Sequence, residues 1–255
     1  MKHNCLVVVC VLSVFLSACE VTCRRYRSYI DGYVCIDTLW VETENIKYNG
    51  VSVHVQTSHL VHLDSSGDDK CVYDSLCSVH NDMSYNTTET RPFLGGCPDR
   101  LCFYPDFSGI DIVCLQQYDD THPSNASLGD VVRFMAISPR KFVDDNYSRS
   151  IWRKVRRENN ISPEWLGLYG GNDSLMAVWC GHYYFYPVDV LLVDLTDNQL
   201  MLLGATSYSL ADESASLGLL LFTKEPFRAG TYDFNLTCTD IHGKQYTTTF
   251  SKTWE

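Results

Sequence analysis

Three features of the 255-residue sequence predict an all-β fold: short apolar runs bounded by Gly, Asp, Asn or Pro, ten cysteines beyond a leader, and a single stretch with helical spacing. Together they describe an antiparallel, disulfide-stapled β-sandwich with long loops. With 45% apolar and 20% charged residues, the chain can build a core and is not a disordered polymer.

The leader comes first. Lys2 and His3 precede an apolar run over 6–16, and Ser17-Ala18 supplies small residues for cleavage, so 1–18 reads as a secretory signal peptide. Residues 19–255 then form a single secreted β-sandwich domain with a cysteine-rich N-terminal half; a boundary near 117–130 is the alternative. Leu16-Ser17-Ala18-Cys19 also fits a lipoprotein box, which would acylate Cys19.

Strands follow. Residues 51–55 alternate apolar and polar side chains, and β-branched or aromatic runs cover 110–115, 131–137, 188–195, 199–203, 217–223, 231–239 and 244–250. Asp197-Asn198 offers a tight turn, and His242-Gly243 puts Gly where positive φ is needed. Loops are expected at 64–70, 81–98, 118–130 and 142–171, the last holding one short helix around 148–158. No later run reaches the roughly 18 apolar residues of a membrane span, since Asp189 and Asp194 interrupt 188–203.

Cysteine count and sequons point to the same compartment. Cleavage after Ala18 leaves Cys19, Cys23, Cys35, Cys71, Cys77, Cys97, Cys102, Cys114, Cys180 and Cys238, an even set expected to form disulfides; cleavage after Cys19 leaves nine and one odd thiol. Glycosylation acceptors occur at Asn86, Asn125, Asn146, Asn160, Asn172 and Asn235, against about two expected by chance for 12 Asn in this composition. Glycans there would leave function to an unsequoned face.

A net charge of −11 excludes a nucleic-acid binder held by general phosphate neutralisation. No nucleophile elbow, His-Glu-x-x-His or phosphate loop is present, so no enzyme, cofactor or metal is expected. His54, His59 and His62 read as polar residues of a solvated strand face, and Asp68-Asp69, Asp119-Asp120 and Asp144-Asp145 as solvated loop charge, without regular calcium-ligand spacing. A secreted hydrolase with a site hidden by sequence spacing is the weakest functional class.

One stretch opposes the global charge. Arg149, Arg153, Lys154, Arg156 and Arg157 precede the first acid, Glu158, and interleave with Ile151, Trp152 and Val155. This basic island reads as a solvated face, as a patch for an acidic partner or sulfated glycan, or as a convertase site at Arg153-Lys154-Val155-Arg156. Trp165, after Ser162-Pro163-Glu164, stands close by.

The last third carries a family resemblance. The apolar strand 190–195, the turn Thr196-Asp197-Asn198-Gln199, the acidic Ser-rich loop 211–216, the run Leu217-Gly218-Leu219-Leu220-Leu221-Phe222-Thr223 and Asn235-Leu236-Thr237-Cys238 resemble, in order and spacing, secreted poxvirus immune-evasion β-sandwiches. The likeness is to the parapoxvirus inhibitors of granulocyte-macrophage colony-stimulating factor and interleukin-2 and to orthopoxvirus secreted costimulatory-ligand binders. It covers about a fifth of the chain, and the 17 residues after Cys238 leave no room for the further cysteine-containing stretch of those relatives. The resemblance implies a decoy that binds a host secreted or cell-surface immune protein and blocks receptor engagement. Trp152, Arg153, Arg156 and Trp165 are the nominated anchors; the ligand and oligomeric state stay open. The alternative is an Ig-like viral or cell-surface recognition module, suggested by Gly230-Thr231-Tyr232 leading to Cys238 and requiring a Cys180–Cys238 bridge with Trp179 nearby.

Overall fold

A computed structural model describes residues 21–43, 49–92, 99–150, 184–209 and 211–255. In chain order the elements are β1 (Val21–Tyr26), β2 (Gly32–Cys35), β3 (Thr38–Glu42), β4 (Gly50–Gln56), β5 (Leu60–His62), α1 (Gly67–Val79), β6 (Thr87–Pro92), β7 (Leu101–Tyr104), β8 (Phe107–Cys114), β9 (Val132–Ser138), α2 (Arg140–Asp144), β10 (Tyr186–Leu191), α3 (Asp197–Leu200), β11 (Ser207–Ser209), β12 (Ser214–Phe222), β13 (Gly230–Asp240) and β14 (Gln245–Trp254). The chain is mostly strand, in several sheets, as the all-β expectation requires. Among the described residues no helix is long and apolar enough to cross a membrane.

The largest sheet runs β10-β9-β12-β4-β3, with β11 also paired to β12; a second runs β14-β13-β8, and smaller ones run β5-β2-β7 and β1-β6. Every pairing is antiparallel except β2 with β7, which is parallel and corrects the purely antiparallel expectation. Their registers join Tyr33 to Cys102, about 70 residues apart, a pairing that no local pattern announces.

Two apolar clusters explain the sequence pattern. Val51, Val53 and Val55 of β4, Phe134 and Ala136 of β9, and Leu220 and Phe222 of β12 meet Ile112 of β8, Phe234 and Leu236 of β13, and Phe250 and Trp254 of β14 in the first. Met135 and Ile137 of β9, with Leu219 and Leu221 of β12, belong to the second, alongside Tyr29, Tyr33, Tyr73 and Leu76, Cys102, Phe142 and Phe185. Because strand neighbours point to opposite faces, β9 and β12 are buried on both. This is why 217–222 reads as a continuous apolar run.

Four local expectations are corrected. The loop expected at 64–70 gives way at 67 to a helix over 67–79: Asp68 and Asp69 occupy its positive first turn, Lys70 pairs with Asp74, and Tyr73, Leu76 and Cys77 bury one face. Asn81, at φ 58°, ends the turn that follows it. The 81–98 loop contains β6, paired to β1. Residues 197–200 are helical rather than a hairpin turn opening a strand over 199–203, because Gln199 Oε1 accepts the Thr196 backbone N–H at 3.0 Å and its hydroxyl at 2.9 Å, the reciprocal half of a capping box. Upstream, the 188–195 run leaves β10 for a 3-10 turn at Leu192–Asp194. The expected helix around 148–158 lies largely outside the described residues.

At the other turn the expectation holds. Gly243 has φ 82°, and Asp240 Oδ1 accepts the backbone N–H groups of His242 (2.8 Å) and Lys244 (2.9 Å), closing the β13–β14 hairpin. The segment near 117–130, the alternative boundary, contributes Tyr118 and Leu128 to the first cluster, both fully buried.

The disulfide staple is also corrected: Cys35, Cys71, Cys77, Cys102, Cys114 and Cys238 are free. Cys114 and Cys238 occupy neighbouring strands, but Cys114 lies opposite Phe234 and Cys238 opposite Ile110. That offset of four residues is roughly 13 Å along the strand, beyond the roughly 7 Å Cα separation a disulfide spans. The free Cys238 thiol also removes the Cys180–Cys238 bridge required of an immunoglobulin-type core. Cys19, Cys97 and Cys180 lie outside the described residues, as does the side chain of Cys23.

Gly218 marks the tightest approach in the large sheet. It follows a register shift between β12 and β4, and a Cβ there would come 2.4 Å from the Met135 carbonyl oxygen. Gly218→Ala is therefore expected to cost about 1–3 kcal/mol in urea unfolding. Gly109→Ala, whose Cβ would meet nothing within 4 Å, should change stability by less than about 0.5 kcal/mol.

Candidate functional site: a basic cleft over a buried ion pair

Beneath β1, the chain buries a complete ion pair. Asp31 is fully buried and Arg100 is 2% exposed. Arg100 Nε donates to Asp31 Oδ2 at 3.0 Å and Nη2 to Oδ1 at 2.9 Å, a bidentate fork, while Nη1 donates to Glu89 Oε1 at 2.9 Å. The backbones close the same contact: Arg100 N–H donates to Asp31 Oδ2 and Asp31 N–H to the Arg100 carbonyl, each at 2.9 Å. Aromatic faces complete the shell, with the guanidinium carbon 4.5 Å from the Tyr29 ring centroid, 5.2 Å from Tyr26 and 5.6 Å from Tyr85. Burial alone would lower the Arg100 pKa; Asp31 outweighs it and holds the guanidinium above its usual value.

Asp82 anchors the adjoining turn. Its oxygens accept the Tyr29 and Ile30 backbone N–H groups, each at 2.8 Å, and the Tyr147 hydroxyl at 2.9 Å. Burial pushes its carboxyl above the usual range, and these donors oppose the shift.

Over this base, between β1 and α1, opens a cleft of about 230 Å³ lined by Arg24, Arg25, Arg27 and Lys70 at its basic side and by Ser28, Tyr73, Asp74 and Asp82 among its other residues. Ser28 Oγ and Tyr73 Oη are 2.5 Å apart, and the Tyr73 hydroxyl donates to the Ile30 carbonyl at 2.7 Å. Arg24 pairs with Asp64 at 2.5 Å and Lys70 with Asp74. Arg25 and Arg27 are exposed and make no ion pair among the described residues. The sequence signal for this cleft is Arg24-Arg25-Tyr26-Arg27, three cations in four positions on an acidic chain; its meaning depends on α1, a helix that the sequence reading does not include.

A second charged centre ties down the loop after β8. Asp119 Oδ1 accepts the backbone N–H groups of Thr121 (2.8 Å) and His122 (2.9 Å), and its Oδ2 accepts Lys224 Nζ at 2.6 Å. His122 Nδ1 lies 2.8 Å from Asp119 Oδ1 and Nε2 2.8 Å from Asp130 Oδ1. Burial lowers the His122 pKa, but these two carboxylates prevail and raise it; burial likewise raises Asp119, and its donors, Lys224 foremost, bring it below the usual carboxylate range.

The nominated anchors Trp152, Arg153, Arg156 and Trp165 lie outside the described residues, as do Asn160 and Asn172. Asn86, Asn125 and Asn146 are exposed and have positive φ, 44°, 64° and 50°. Asn235 is half-buried on β13, between Phe234 and Leu236, which face the core. The three strand-face histidines do not converge: His54 stacks on Trp40 at 4.1 Å and approaches Glu42, His59 faces Asp69, and His62 faces Asp99 and Asp64. Burial pushes the Cys77 thiol up to about 11 and that of Cys238 up to about 12, far from a reactive thiolate. No protein-family model, curated protein or solved structure matches the chain.

Arg100→Met should destabilise the protein by about 3–5 kcal/mol, because Asp31 would keep its burial and lose its counter-charge. Adding Asp31→Asn should recover part of that loss, as read from urea midpoints. His122 generates a pH dependence of defined sign. Its pKa is raised on folding, so its stabilisation is complete below about pH 6.5, the unfolded value, and is lost as pH rises through the folded value. His122→Asn should remove that slope from unfolding free energies measured upward from about pH 5.

Proposed function

We propose that the chain is a secreted glycoprotein that binds a host immune ligand, a cytokine, chemokine or costimulatory protein, and blocks its receptor engagement. The observation that carries this reading is the fixed base of the segment bearing the nominated anchors. On one side of 151–183, Tyr147 contacts Phe142 edge-on at 5.7 Å; on the other, Tyr184 stacks on the same Phe142 at 4.5 Å, and the Arg149 guanidinium sits 5.4 Å over the Tyr184 ring. A segment hung between fixed ends on a rigid scaffold is where binding residues concentrate. The exposed turns at Asn86, Asn125 and Asn146 suit glycan attachment, and the six free thiols shift the weight of the secretion argument onto the leader and these sequons.

The scaffold itself supports a second reading, an Ig-like recognition module. The strand orders β3-β4-β12-β9 and β8-β13-β14 follow the A-B-E-D and C-F-G orders of a constant-type immunoglobulin sandwich when those seven strands are lettered in chain order. The Tyr232 hydroxyl, on the strand corresponding to F, donates to the Arg228 carbonyl at 3.0 Å, as in a tyrosine corner. The two readings share a sandwich and differ in whether binding blocks a receptor.

Expression in mammalian cells should give a secreted species that moves faster on a gel after glycosidase treatment. Surface plasmon resonance of that species against a panel of cytokines, chemokines and costimulatory ectodomains should find saturable binding that competes with the cognate receptor. For that pair, Arg153→Glu with Arg156→Glu should slow association and flatten its salt dependence, and Trp152→Ala should weaken affinity by about 2 kcal/mol through faster dissociation. Binding without receptor competition would favour the recognition module. Intracellular retention, or affinities untouched by these variants, would overturn the decoy reading.

A further inference from the structure

We infer that the cleft between β1 and α1 is a subsite for a sulfate ester of a sulfated glycan, separate from the basic island at 149–157. Two cations at this cleft lack internal compensation. Arg24 and Lys70 are engaged with Asp64 and Asp74, whereas Arg25 and Arg27 are exposed and make no ion pair among the described residues. On a chain of net charge −11 such a local excess draws an anion to one place and repels an extended polyanion elsewhere. The ligand is therefore a short anionic group inserted locally.

The floor discriminates among anions. Asp82 has its oxygens engaged by two backbone N–H groups and the Tyr147 hydroxyl and makes no ion pair with Arg25 or Arg27 among the described residues. Asp74 lines the same cleft and can accept hydroxyl groups from a sugar ring, while disfavouring a group of high charge density. A phosphate monoester carries about −1.5 to −2 at neutral pH; a sulfate ester carries a single negative charge, and its oxygens fit the planar guanidinium fork equally well. A volume of about 230 Å³ accommodates a small group rather than a folded partner. A hydroxyl-rich, singly charged ester meets all three constraints.

The test is a titration of the secreted full chain with a heparin-derived hexasaccharide, its chemically desulfated counterpart, a sulfotyrosine peptide and a phosphoserine peptide. The sulfated hexasaccharide should bind, and Arg25→Gln with Arg27→Gln should weaken it about tenfold or more. Arg228→Glu, at a cation outside the cleft lining, should leave it within about twofold. An unmutated readout guards against misfolding: the bound hexasaccharide should slow acetylation of Lys70 by an amine-reactive reagent. The inference is overturned if the native chain does not bind the hexasaccharide, if the desulfated form binds equally, or if either peptide binds more tightly. It is equally overturned if Lys70 gains no protection, or if Arg153→Glu with Arg156→Glu abolishes binding that the cleft variant leaves intact. That last result would locate sulfate recognition on the island and leave the ligand-decoy reading standing.

Discussion

Strands β9 and β12 have apolar side chains on both faces, and this double burial governs the rest of the molecule. A sheet of this kind needs a cover on each side, since two exposed rows of Leu, Met and Phe would leave a large apolar surface in water. The β14-β13-β8 sheet supplies one cover. The other is assembled from β2, β5 and β7, the buried face of α1, and Phe142 of α2. The parallel β2–β7 pair, the unforeseen helix and the buried Asp31–Arg100 pair with Asp82 all belong to this second cover, so they answer to one requirement. Gly218 belongs to it as well, because it lets β12 approach the Met135 carbonyl of β9 in the middle of the doubly buried pair.

Assembling a cover from short, distant segments creates polar groups that no regular ladder satisfies. The chain meets this with carboxylates. Asp31 binds the Arg100 side chain and backbone N–H together, Asp82 takes two successive N–H groups at the turn after β1, and Asp106 Oδ1 accepts the Leu202 N–H at 2.8 Å. Burying such charges is costly unless each is paired, and the bidentate Asp31–Arg100 contact with Glu89 behind it shows the pairing carried through. Free thiols fit the same economy of space. Cys102, Cys114 and Cys238 are buried and behave as small apolar side chains.

What the sequence disclosed follows from how local each signal was. The runs at 51–55, 110–115, 131–137, 217–223, 231–239 and 244–250 became strands because β-branched and aromatic residues bounded by turn formers report a pleated, half-buried surface without knowledge of the partner. The helix at 67–79 was masked at its start: Tyr73, Leu76 and Cys77 do follow helical spacing, but Asp68, Asp69 and Lys70 make its first turn read as the end of a polar loop over 64–70. At 196–199 the residues of a Thr-x-x-Gln cap are present, but the Asp197-Asn198 pair inside them reads as a tight turn. The disulfide expectation used the even cysteine count, which carries no register, whereas pairing needs two cysteines opposite one another. The basic cleft was illegible for a different reason. Arg24, Arg25 and Arg27 are visible as a run, but a concave site exists only once α1 packs beside β1.

The added cover also explains where the functional surfaces fall. Two long connections join the seven lettered strands, residues 57–106 between β4 and β8 and residues 139–213 between β9 and β12, and the second adds β10 and β11 to the large sheet. They meet over the same face: Tyr29, from the first part of the chain, packs edge-on against Phe142 at 4.8 Å, and Tyr147 of the second connection donates to Asp82 of the first at 2.9 Å. The basic cleft draws α1 from the first connection, and the segment 151–183 belongs to the second. Phe142, Tyr147 and Tyr184, which flank 151–183 in sequence, therefore belong to the same layer as the cleft, held by their aromatic contacts and by Asp82. A change at Asp82 would reach the cleft through Tyr29 and Ile30 and the Phe142–Tyr184 stack through Tyr147, so that carboxylate joins the turn after β1 to the aromatic contacts around α2.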